Sequence, residues 1–280
     1  MRVAYLGPAG TFSEEAVARC DLAGPEAPVP FPSFPAAYDA LERGEVEAAL
    51  LPVENSLEGA IGTVLDLLVH RPGPLIRREV LLPVRQHLLG RKGTTLESIE
   101  RVLSHPQPFG QCARFLRERL PRATLVPTHS TADAARLVAE GAAGAAAIGA
   151  QAAARLYGLE VLAPSIQDTD ENTTRFVLLT RADEPPTGND RTSIAFTLDR
   201  DRPGGLYEVM GEFAARGINL SKVESRPLKQ ALGHYVFFLD FEGHRLEPLG
   251  AAALEGVRAR VHRLYLLGSY PRSSAPSVAR

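Results

Sequence analysis

Short apolar runs alternate with amphipathic stretches along the first two-thirds of the chain. Runs such as 3–6, 48–53 and 145–148 have the length of buried strands, and apolar residues at helical spacing follow each of them. This alternation predicts an α/β fold with mostly parallel sheets and helices on their faces. The extended stretch 76–89 would carry the chain from one lobe to a second, and residues near 164–174 would bring it back. We therefore expect two α/β lobes with a cleft between them.

The last third of the chain has a different pattern. Residues 181–190 combine Pro, Gly, Asp and Asn, which is typical of a linker. After it the pattern reads strand, helix, strand, strand, helix, strand, which predicts a ferredoxin-like βαββαβ unit of the α+β class over 191–270. The exposed edges of such a sheet favour pairing with a second copy of the chain. Residues 271–280 are expected to form a frayed tail.

Composition and charge exclude some classes of partner. The net charge is −2 and no arginine-rich block occurs, so nothing in the electrostatics favours nucleic-acid binding. No apolar run reaches the roughly 18 residues that a membrane span needs. The N-terminus shows no signal-peptide pattern, so we expect a cytoplasmic protein. Cys20 and Cys112 stand far apart without metal-ligand spacing and are expected to be buried apolar residues.

Polar side chains follow several of the predicted strands. In the stretch 167–179 a polar run leads directly into an apolar strand, so that Asn172, Thr173, Thr174 and Arg175 lie at a strand mouth. Small ligands of α/β proteins commonly bind at strand ends, and these hydrogen-bonding groups suit a small anion. The alternative is a polar loop that feeds a strand.

Three further segments show the same pairing of strand and polar residues. Glu54, Asn55 and Ser56 follow the run 48–53, and they either line a site or cap the next helix. Ser104 ends a strand, and Gln111 is expected in the first turn of the helix after a Pro-rich loop. Both could donate hydrogen bonds into one cavity.

Two more local features leave alternatives open. Thr11 and Glu14 match a capping box, with Thr11 as N-cap, after a Gly-Pro turn. That helix start either binds an anion or is a well-capped structural helix. The motif is neither a Walker loop nor a dinucleotide fingerprint. His105 is either a general base or a structural residue, because no carboxylate stands at a telling spacing.

Five motifs in order make the chain resemble prephenate dehydratase, in its monofunctional bacterial form with a C-terminal ACT domain. They are Gly7-Pro-Ala-Gly-Thr-Phe-Ser13, Pro52-Val-Glu-Asn-Ser56, Ser104-His-Pro-Gln107 with Gln111, Thr174-Arg-Phe176, and Asn219-Leu-Ser-Lys-Val-Glu-Ser-Arg-Pro227. In one departure from the family pattern, Gly204-Gly-Leu206 stands where Gly-Ala-Leu is usual, and in another Ser221 stands where Thr is common.

The resemblance implies a catalytic region over 1–180 with the two-lobed fold of type 2 periplasmic binding proteins. Lobe 1 would comprise about 1–75 and 165–180, and lobe 2 about 76–164. The linker 181–190 and an ACT regulatory domain over 191–270 would follow, with 271–280 as a tail. The implied reaction converts prephenate to phenylpyruvate, carbon dioxide and water without a metal or other cofactor. L-phenylalanine would be the allosteric effector of a homodimer or homotetramer.

The resemblance also implies site residues. The catalytic candidates are Thr174, Glu54, Asn55, Ser104 and Gln111, and the substrate-binding candidates are Thr11, Ser13, Ser56, Thr173, Arg175 and Phe176. The phenylalanine-binding candidates are Gly204, Gly205, Leu206, Asn219, Leu220, Ser221, Glu224, Ser225, Arg226 and Pro227.

The reaction suggests roles for some of these residues. Thr174 is the candidate donor to the leaving hydroxyl, and Glu54 is a candidate proton source if burial raises its pKa. Arg175 either pairs with a substrate carboxylate or supports the loop. Two rival functions remain: an arogenate dehydratase, and an amino-acid-binding regulatory protein without turnover.

Overall fold

The structure, a computed structural model, describes residues 1–20, 27–141, 143–198, 203–228 and 234–273. In chain order the strands are β1 (Arg2–Leu6), β2 (Ala27–Phe31), β3 (Ala48–Asn55), β4 (Gly59–Ala60), β5 (Leu75–Pro83), β6 (His87–Gly90), β7 (Arg101–Ser104), β8 (Thr124–Pro127), β9 (Ala145–Gly149), β10 (Glu160–Ala163), β11 (Thr173–Thr180), β12 (Asp190–Thr197), β13 (Leu220–Pro227), β14 (Tyr235–Glu242) and β15 (Arg263–Pro271). The helices are α1 (Phe12–Val17), α2 (Phe34–Arg43), α3 (Gly62–His70), α4 (Pro106–Gln111), α5 (Ala113–Arg119), α6 (Thr131–Ala139), α7 (Gln151–Tyr157), α8 (Gly205–Ala214) and α9 (Pro248–Arg258), with a short 3-10 turn at Leu96–Ser98.

These elements form three sheets. The first has the strand order β2-β1-β3-β11-β5, with β4 paired to β3, and the second has the order β10-β6-β9-β7-β8. The third has the order β13-β14-β12-β15. Two sheets with helices in the catalytic region and a separate βαββαβ unit confirm the predicted fold class.

Chain contacts divide the protein into two compact units. Unit 1 contains the described residues of 1–61 and 80–176, and unit 2 contains those of 62–79 and 177–273. Strands β5 and β11 each begin in one unit and end in the other. The segment 62–79, which includes α3, therefore belongs with the C-terminal part of the chain.

Both large sheets are mixed, so the expected parallel pairing holds for some of their strands and not for others. Strand β1 is parallel to β2 and β3, whereas β4 is antiparallel to β3. In the second sheet β7 is parallel to β8 and β9, whereas β6 is antiparallel to both β9 and β10. The chain enters this sheet through β6 and leaves it through β10, so these neighbouring strands run in opposite directions.

The pattern reading missed β2, which contains Pro28 and Pro30. Proline cannot donate to a sheet ladder and is therefore found at edges. Strand β2 is the edge of the first sheet, in parallel register with β1, so its prolines are compatible with its position.

The second sheet packs against helices through small residues. On α6 the buried residues are Ala132, Ala134, Ala135 and Val138. They share a core with Leu89, Leu103 and Ala147 of the sheet. Alanine side chains let the helix backbone come close to the strands, which explains the alanine-rich composition of this region.

The sheet of unit 2 is covered on one face by α8 and α9, as the ferredoxin-like prediction requires. Its core contains Phe196, Phe213 and Phe241, with the rings of Phe213 and Phe241 centred 5.0 Å apart. Strand β15 continues to Pro271, and the N–H of Arg272 donates to the carbonyl of Asn189. The rest of the predicted tail, 274–280, lies outside the described residues. Within the ranges described, no helix has both the length and the apolar character that crossing a membrane requires.

Candidate active site

Unit 1 contains a cavity of about 310 Å³ whose lining includes many polar residues. Strand ends and helix starts from both of its sheets contribute to the lining. The polar residues that line it are Thr11, Ser13, Asn55, Gln86, His105, Gln107, Gln111, His129, Ser130, Thr131, Asn172 and Thr174. Leu6, Gly7, Phe12, Val84 and Pro108 complete the wall.

Asn55, Asn172 and Thr174 form one buried hydrogen-bond network at the ends of β3 and β11. The Asn55 amide nitrogen Nδ2 donates to Asn172 Oδ1 at 2.7 Å and to Thr174 Oγ1 at 2.9 Å. Asn55 Oδ1 accepts from the backbone N–H groups of Leu57 and Glu58, each at 3.0 Å. Because these N–H groups can only donate, they determine which side of the Asn55 amide faces Thr174.

Ser56 holds the two strand ends together. Its hydroxyl donates to the carbonyl of Glu171 at 2.7 Å and accepts from the N–H of Thr173 at 3.0 Å. The backbone N–H of Ser56 donates to the carbonyl of Thr173 at 2.9 Å. Ser56 and Thr173 therefore position Asn55 and Thr174 and do not line the cavity themselves.

Gln86 and Gln111 line another part of the cavity, and hydrogen bonds connect Gln86 to both Gln111 and Gln167. Gln86 Nε2 donates to Gln111 Oε1 at 3.2 Å, and the backbone N–H of Gln86 donates to Gln167 Oε1 at 3.0 Å. Sequence reasoning missed Gln86, since no motif contains it. The only available signal was that it lies in the extended stretch 76–89. Gln111 lines the cavity, but it ends α4 and does not begin a helix, because Pro106 starts the helix five residues earlier than expected.

Three helix starts meet the cavity, at Thr11, His105 and Ser130. Of these, Ser130 caps α6, its hydroxyl accepting from the N–H of Asp133 at 3.0 Å, and the positive end of the α6 dipole faces the lining. His105 is the N-cap of α4, and its Nδ1 accepts from the N–H of Gln107 at 3.4 Å. Neither His129 nor Ser130 was expected in the site.

The expected capping box at Thr11 is not formed. The Thr11 hydroxyl donates to the carbonyl of Leu6 at 3.2 Å, and the Glu14 carboxylate accepts from the N–H of Gly10 at 2.6 Å. Glu14 thus bonds one residue before the N-cap because the turn 7–10 brings that N–H closer. Thr11 and Ser13 both line the cavity.

The structure places four other site candidates outside the cavity lining. Glu54 is 40% exposed and lies 4.0 Å from Arg175, measured between Oε2 and Nη1. The burial on which its expected role as an acid depends is not found, because β3 turns Asn55 and Glu54 to opposite sides. Ser104 is fully buried and donates to the carbonyl of Ile148 at 3.0 Å. Phe176 is a core residue.

Burial shifts the pKa of two groups beside the cavity. Desolvation, together with the charge of Arg85, lowers the pKa of His87, and its Nδ1 accepts from the N–H of Ser165 at 3.1 Å. Desolvation and the nearby Asp168 raise the pKa of the Cys112 thiol to about 12. Cys20 and Cys112 are both buried, as expected. Within the described ranges no three His, Cys, Asp or Glu side chains are grouped as a metal site.

The residues expected to bind an effector lie in unit 2, at the start of α8 and along β13. Gly204 is the N-cap of α8, and Gly205 and Leu206 begin that helix. Along β13 exposed and half-buried residues alternate, so Ser221, Ser225 and Pro227 differ in exposure from Leu220, Glu224 and Arg226. Asn219 is exposed just before the strand.

Arg226 contacts α3 within unit 2. Its Nε lies 3.5 Å from Asp66 Oδ1, and its Nη1 lies 4.0 Å from Glu224 Oε1. A Cβ added at Gly62 would lie 2.1 Å from Arg226 Nη2. The guanidinium therefore occupies the space that the absent side chain of Gly62 leaves.

Comparisons with known proteins agree on one family. The family model described as prephenate dehydratase matches residues 3–184, and the ACT domain model matches residues 192–259. A prephenate dehydratase of Amycolatopsis methanolica is 42% identical over 275 residues, which cover 97% of this chain and 89% of that protein. A bifunctional chorismate mutase/prephenate dehydratase of Aquifex aeolicus is 36% identical, covering 98% of this chain and 74% of that protein.

Solved structures give the same result for the whole chain. The crystal structure of prephenate dehydratase from Arthrobacter aurescens, in complex with L-Phe, has a TM-score of 0.90 at 38% identity and covers 99% of this chain and 94% of that one. GqqA, described as a novel type of quorum quenching acylase, has a TM-score of 0.87 at 31% identity and covers 98% of both chains.

Proposed function

Because the chain belongs to the prephenate dehydratase family and carries an ACT domain, we propose that the cavity of unit 1 converts prephenate to phenylpyruvate, carbon dioxide and water. The carrying observation is the Thr174 hydroxyl. Its oxygen accepts a hydrogen bond from Asn55, and among the described residues it has no acceptor for its own proton. That proton is thus available to a substrate in the cavity.

The cavity suits a small dianion that has several hydrogen-bond acceptors. Prephenate has two carboxylates, a keto group and a ring hydroxyl, and amide and hydroxyl donors line the wall. The positive end of α6, at Ser130 and Thr131, stabilises a carboxylate. Arg175 pairs with Glu54 and lies outside the lining, which favours support of the loop over contact with substrate.

The chemistry requires only positioning and help for one leaving group. Loss of the ring carboxylate as carbon dioxide supplies the electron pair that enters the ring. Hydroxide leaves from the carbon across the ring, and the ring becomes aromatic. Thr174 donates to the departing oxygen, while Asn55 donates to Thr174 and makes its hydroxyl a better donor. Gln111, held by Gln86, orients the remainder of the substrate.

Thr174 is the residue through which this mechanism is tested. Thr174→Val keeps the shape but removes the hydroxyl, and turnover of prephenate is expected to fall by about 100-fold or more, the scale of general-acid assistance. Thr174→Ser is the matched control, because it restores the hydroxyl and is expected to keep most of the turnover. The rate of phenylpyruvate formation, followed by absorbance, gives kcat and KM separately.

Each outcome of that assay has a definite meaning. Near-normal turnover in Thr174→Val removes Thr174 from the mechanism, and a change in KM alone makes it a binding residue. Offering arogenate in parallel distinguishes the dehydratase of the keto acid from that of the amino acid. Wild-type protein that consumes neither substrate would contradict the proposed function itself.

A hydrolytic acyl transfer, such as the name acylase implies for GqqA, has less support here. Such a reaction usually needs a nucleophile activated by an adjacent base. Among the described residues, no cavity histidine is hydrogen-bonded to a serine or threonine hydroxyl, and His105 Nδ1 is occupied by a backbone N–H.

We further propose that L-phenylalanine binds the ACT domain and changes the activity of unit 1. The support is the motif 219–227, the ACT match over 192–259, and the L-Phe complex of the Arthrobacter aurescens relative. The α8 start at Gly204, Gly205 and Leu206 and the exposed side of β13 form the proposed contact surface. Arg226, on the other side of the strand, contacts Asp66 of α3 and transmits the signal, with Glu224 beside its guanidinium.

We also propose domain bounds, self-association and a cellular location for this protein. The catalytic region is taken as 1–180, the linker as 181–190 and the regulatory domain as 191–270. Self-association as a dimer or tetramer is supported by β13, which is an open edge of its sheet. A cytoplasmic location is supported by the low cysteine content of the sequence, two residues in all, which suits a reducing compartment.

A further inference from the structure

Asn172 is almost completely buried, at 2% exposure, and lines the cavity next to Thr174. Its amide nitrogen Nδ2 is buried and has no hydrogen-bond partner among the described residues. Burying an amide N–H without a partner is unfavourable, because its hydrogen bonds to water are lost and not replaced. Such a group in a cavity wall indicates a contact that is completed by a ligand.

The hydrogen-bond network establishes that the free atom is a donor. Backbone N–H groups of Leu57 and Glu58 take up Asn55 Oδ1, so Asn55 must present its nitrogen to Asn172. Asn172 must then present its oxygen to Asn55, which leaves Nδ2 as the amide atom without a partner among the described residues. The opposite orientation would place two amide nitrogens against each other.

Asn172 and Thr174 also stand side by side, because both bond to the same nitrogen of Asn55. We infer that Asn172 Nδ2 and the Thr174 hydroxyl donate together to the leaving hydroxyl oxygen of the substrate, so that Asn172 is a second catalytic donor. This inference rests on the proposed prephenate reaction. Negative charge grows on that oxygen as its bond to the ring carbon breaks with the electron pair, and two donors stabilise it more than one.

The test variant is Asn172→Asp, which has the same shape and keeps the acceptor for Asn55 but loses the donor. Its kcat for prephenate is expected to fall by roughly 100-fold or more, as when one donor to a developing oxyanion is removed. Gln107→Glu is the control for charge, because it adds a carboxylate to the same wall without touching the network. It is expected to raise KM and to change kcat much less than Asn172→Asp.

Binding of phenylpyruvate separates the leaving oxygen from the other acceptors, because this product has lost the hydroxyl and the ring carboxylate. Its Kd, measured by titration calorimetry, is expected to change no more in Asn172→Asp than in Gln107→Glu. A measurable Kd also shows that the variant has folded. If Asn172→Asp does not fold, Asn172→Ala takes its place, since alanine has no side-chain donor.

Two results would overturn the inference. One is a kcat within a few-fold of wild type, which would make Asn172 only a support for Asn55. The other is a loss confined to KM and to phenylpyruvate binding, which would assign the donor to a carboxylate or the keto group. Both require an active wild type, whereas wild-type protein that does not consume prephenate would count against the proposed function instead.

Discussion

Two neighbouring residues of β3 have opposite surroundings although both belong to one motif. Asn55 is buried in the cavity wall, and Glu54 is on the other side of the strand beside Arg175. Successive side chains of a strand point to opposite faces, so one motif cannot deliver both to the same point. A proton that starts at Glu54 would have to pass around the strand to reach Thr174. The hydrogen bond to Thr174 comes from Asn55, and Glu54 has no part in it.

The residue scale also shows what sequence reasoning could and could not obtain. Asn55, Gln111 and Thr174, to which local motifs pointed, all line the cavity. Gln86 and Asn172 gain their importance from partners far along the chain, at separations of 25 and 117 residues. Separations of that size are decided by how the sheets are ordered, which the pattern of apolar residues does not state.

His87 is expected to make stability depend on pH. Burial lowers its pKa below the ordinary 6.5, so the unfolded chain binds the proton more tightly than the folded protein. The stabilising contribution is therefore complete above about 6.5 and is lost as the pH falls through the lower pKa of the folded state. Protonation of Nδ1 would also remove the acceptor for the Ser165 N–H.

The measurement is the free energy of unfolding from urea titrations between about pH 7 and pH 5. Wild type should lose stability over this range, and His87→Asn, which cannot take up the proton, should lose less. His234→Asn alters an exposed histidine and should follow wild type. Parallel curves for wild type and His87→Asn would contradict the role of His87.

At the scale of elements, β13 has a separate task on each side. One side is exposed and belongs to the proposed effector surface, and the other carries Arg226 toward α3. Helix α3 begins at Gly62, two residues after β4, which pairs with Glu54 and Asn55. A short segment of chain thus connects the Arg226 contact on α3 to β4, and β4 pairs with β3.

Gly62→Ala tests this path. The new methyl group would meet the guanidinium at 2.1 Å, and the flexible Arg226 side chain would have to leave Asp66. We expect the effect of saturating phenylalanine on turnover to shrink by about 5-fold or more, within the usual size of allosteric coupling. Turnover without phenylalanine should stay close to that of wild type.

The control is Gly211→Ala in α8, where an added Cβ meets nothing within 4 Å. It should leave the phenylalanine response unchanged, since alanine is a good helix residue. An unaltered response in Gly62→Ala would show that the signal does not pass through α3.

The elements also show why some boundaries were predicted better than others. Helix α2 has clear signals in the sequence, because a serine cap precedes it, one face is apolar and a glycine ends it. Helix α4 was taken for a loop because its prolines suggested a break, although proline is well tolerated in a first turn. The antiparallel pairs that β4, β6 and β10 make were not predicted, because the direction of a strand depends on where the chain enters and leaves each sheet.

At the scale of the whole molecule, unit 2 joins a segment from the catalytic region to the ACT sheet. Glu79 of β5 is 1% exposed and lies 2.5 Å from Arg191 Nη1 of β12, and it also accepts from the N–H of Ser273. Gly268 of β15 lies against the backbone of Ile76, where a Cβ would be 2.3 Å from the Ile76 carbonyl oxygen. These contacts explain why 62–79 and the ACT domain form one compact unit.

Glu79→Gln should reveal the weight of the buried ion pair. Removing one charge leaves Arg191 buried without its counterion, and the expected loss is about 3–5 kcal/mol in the free energy of unfolding. Urea denaturation followed by circular dichroism measures it. Glu45→Gln, which breaks the exposed pair with Arg43, should cause no measurable change. Equal effects of the two variants would show that Glu79 is not a structural anchor.

The interleaving of the two units limits how this protein can be divided or recombined. A cut in the linker 181–190 separates enzyme from regulator along the sequence, but it strips Glu79, Ile76 and α3 of their packing partners. The fragment left behind would present a buried carboxylate and a bare strand to water. The ACT domain therefore cannot be separated cleanly at the linker. Fusing it to another enzyme would require α3 and the first half of β5 to be transferred with it.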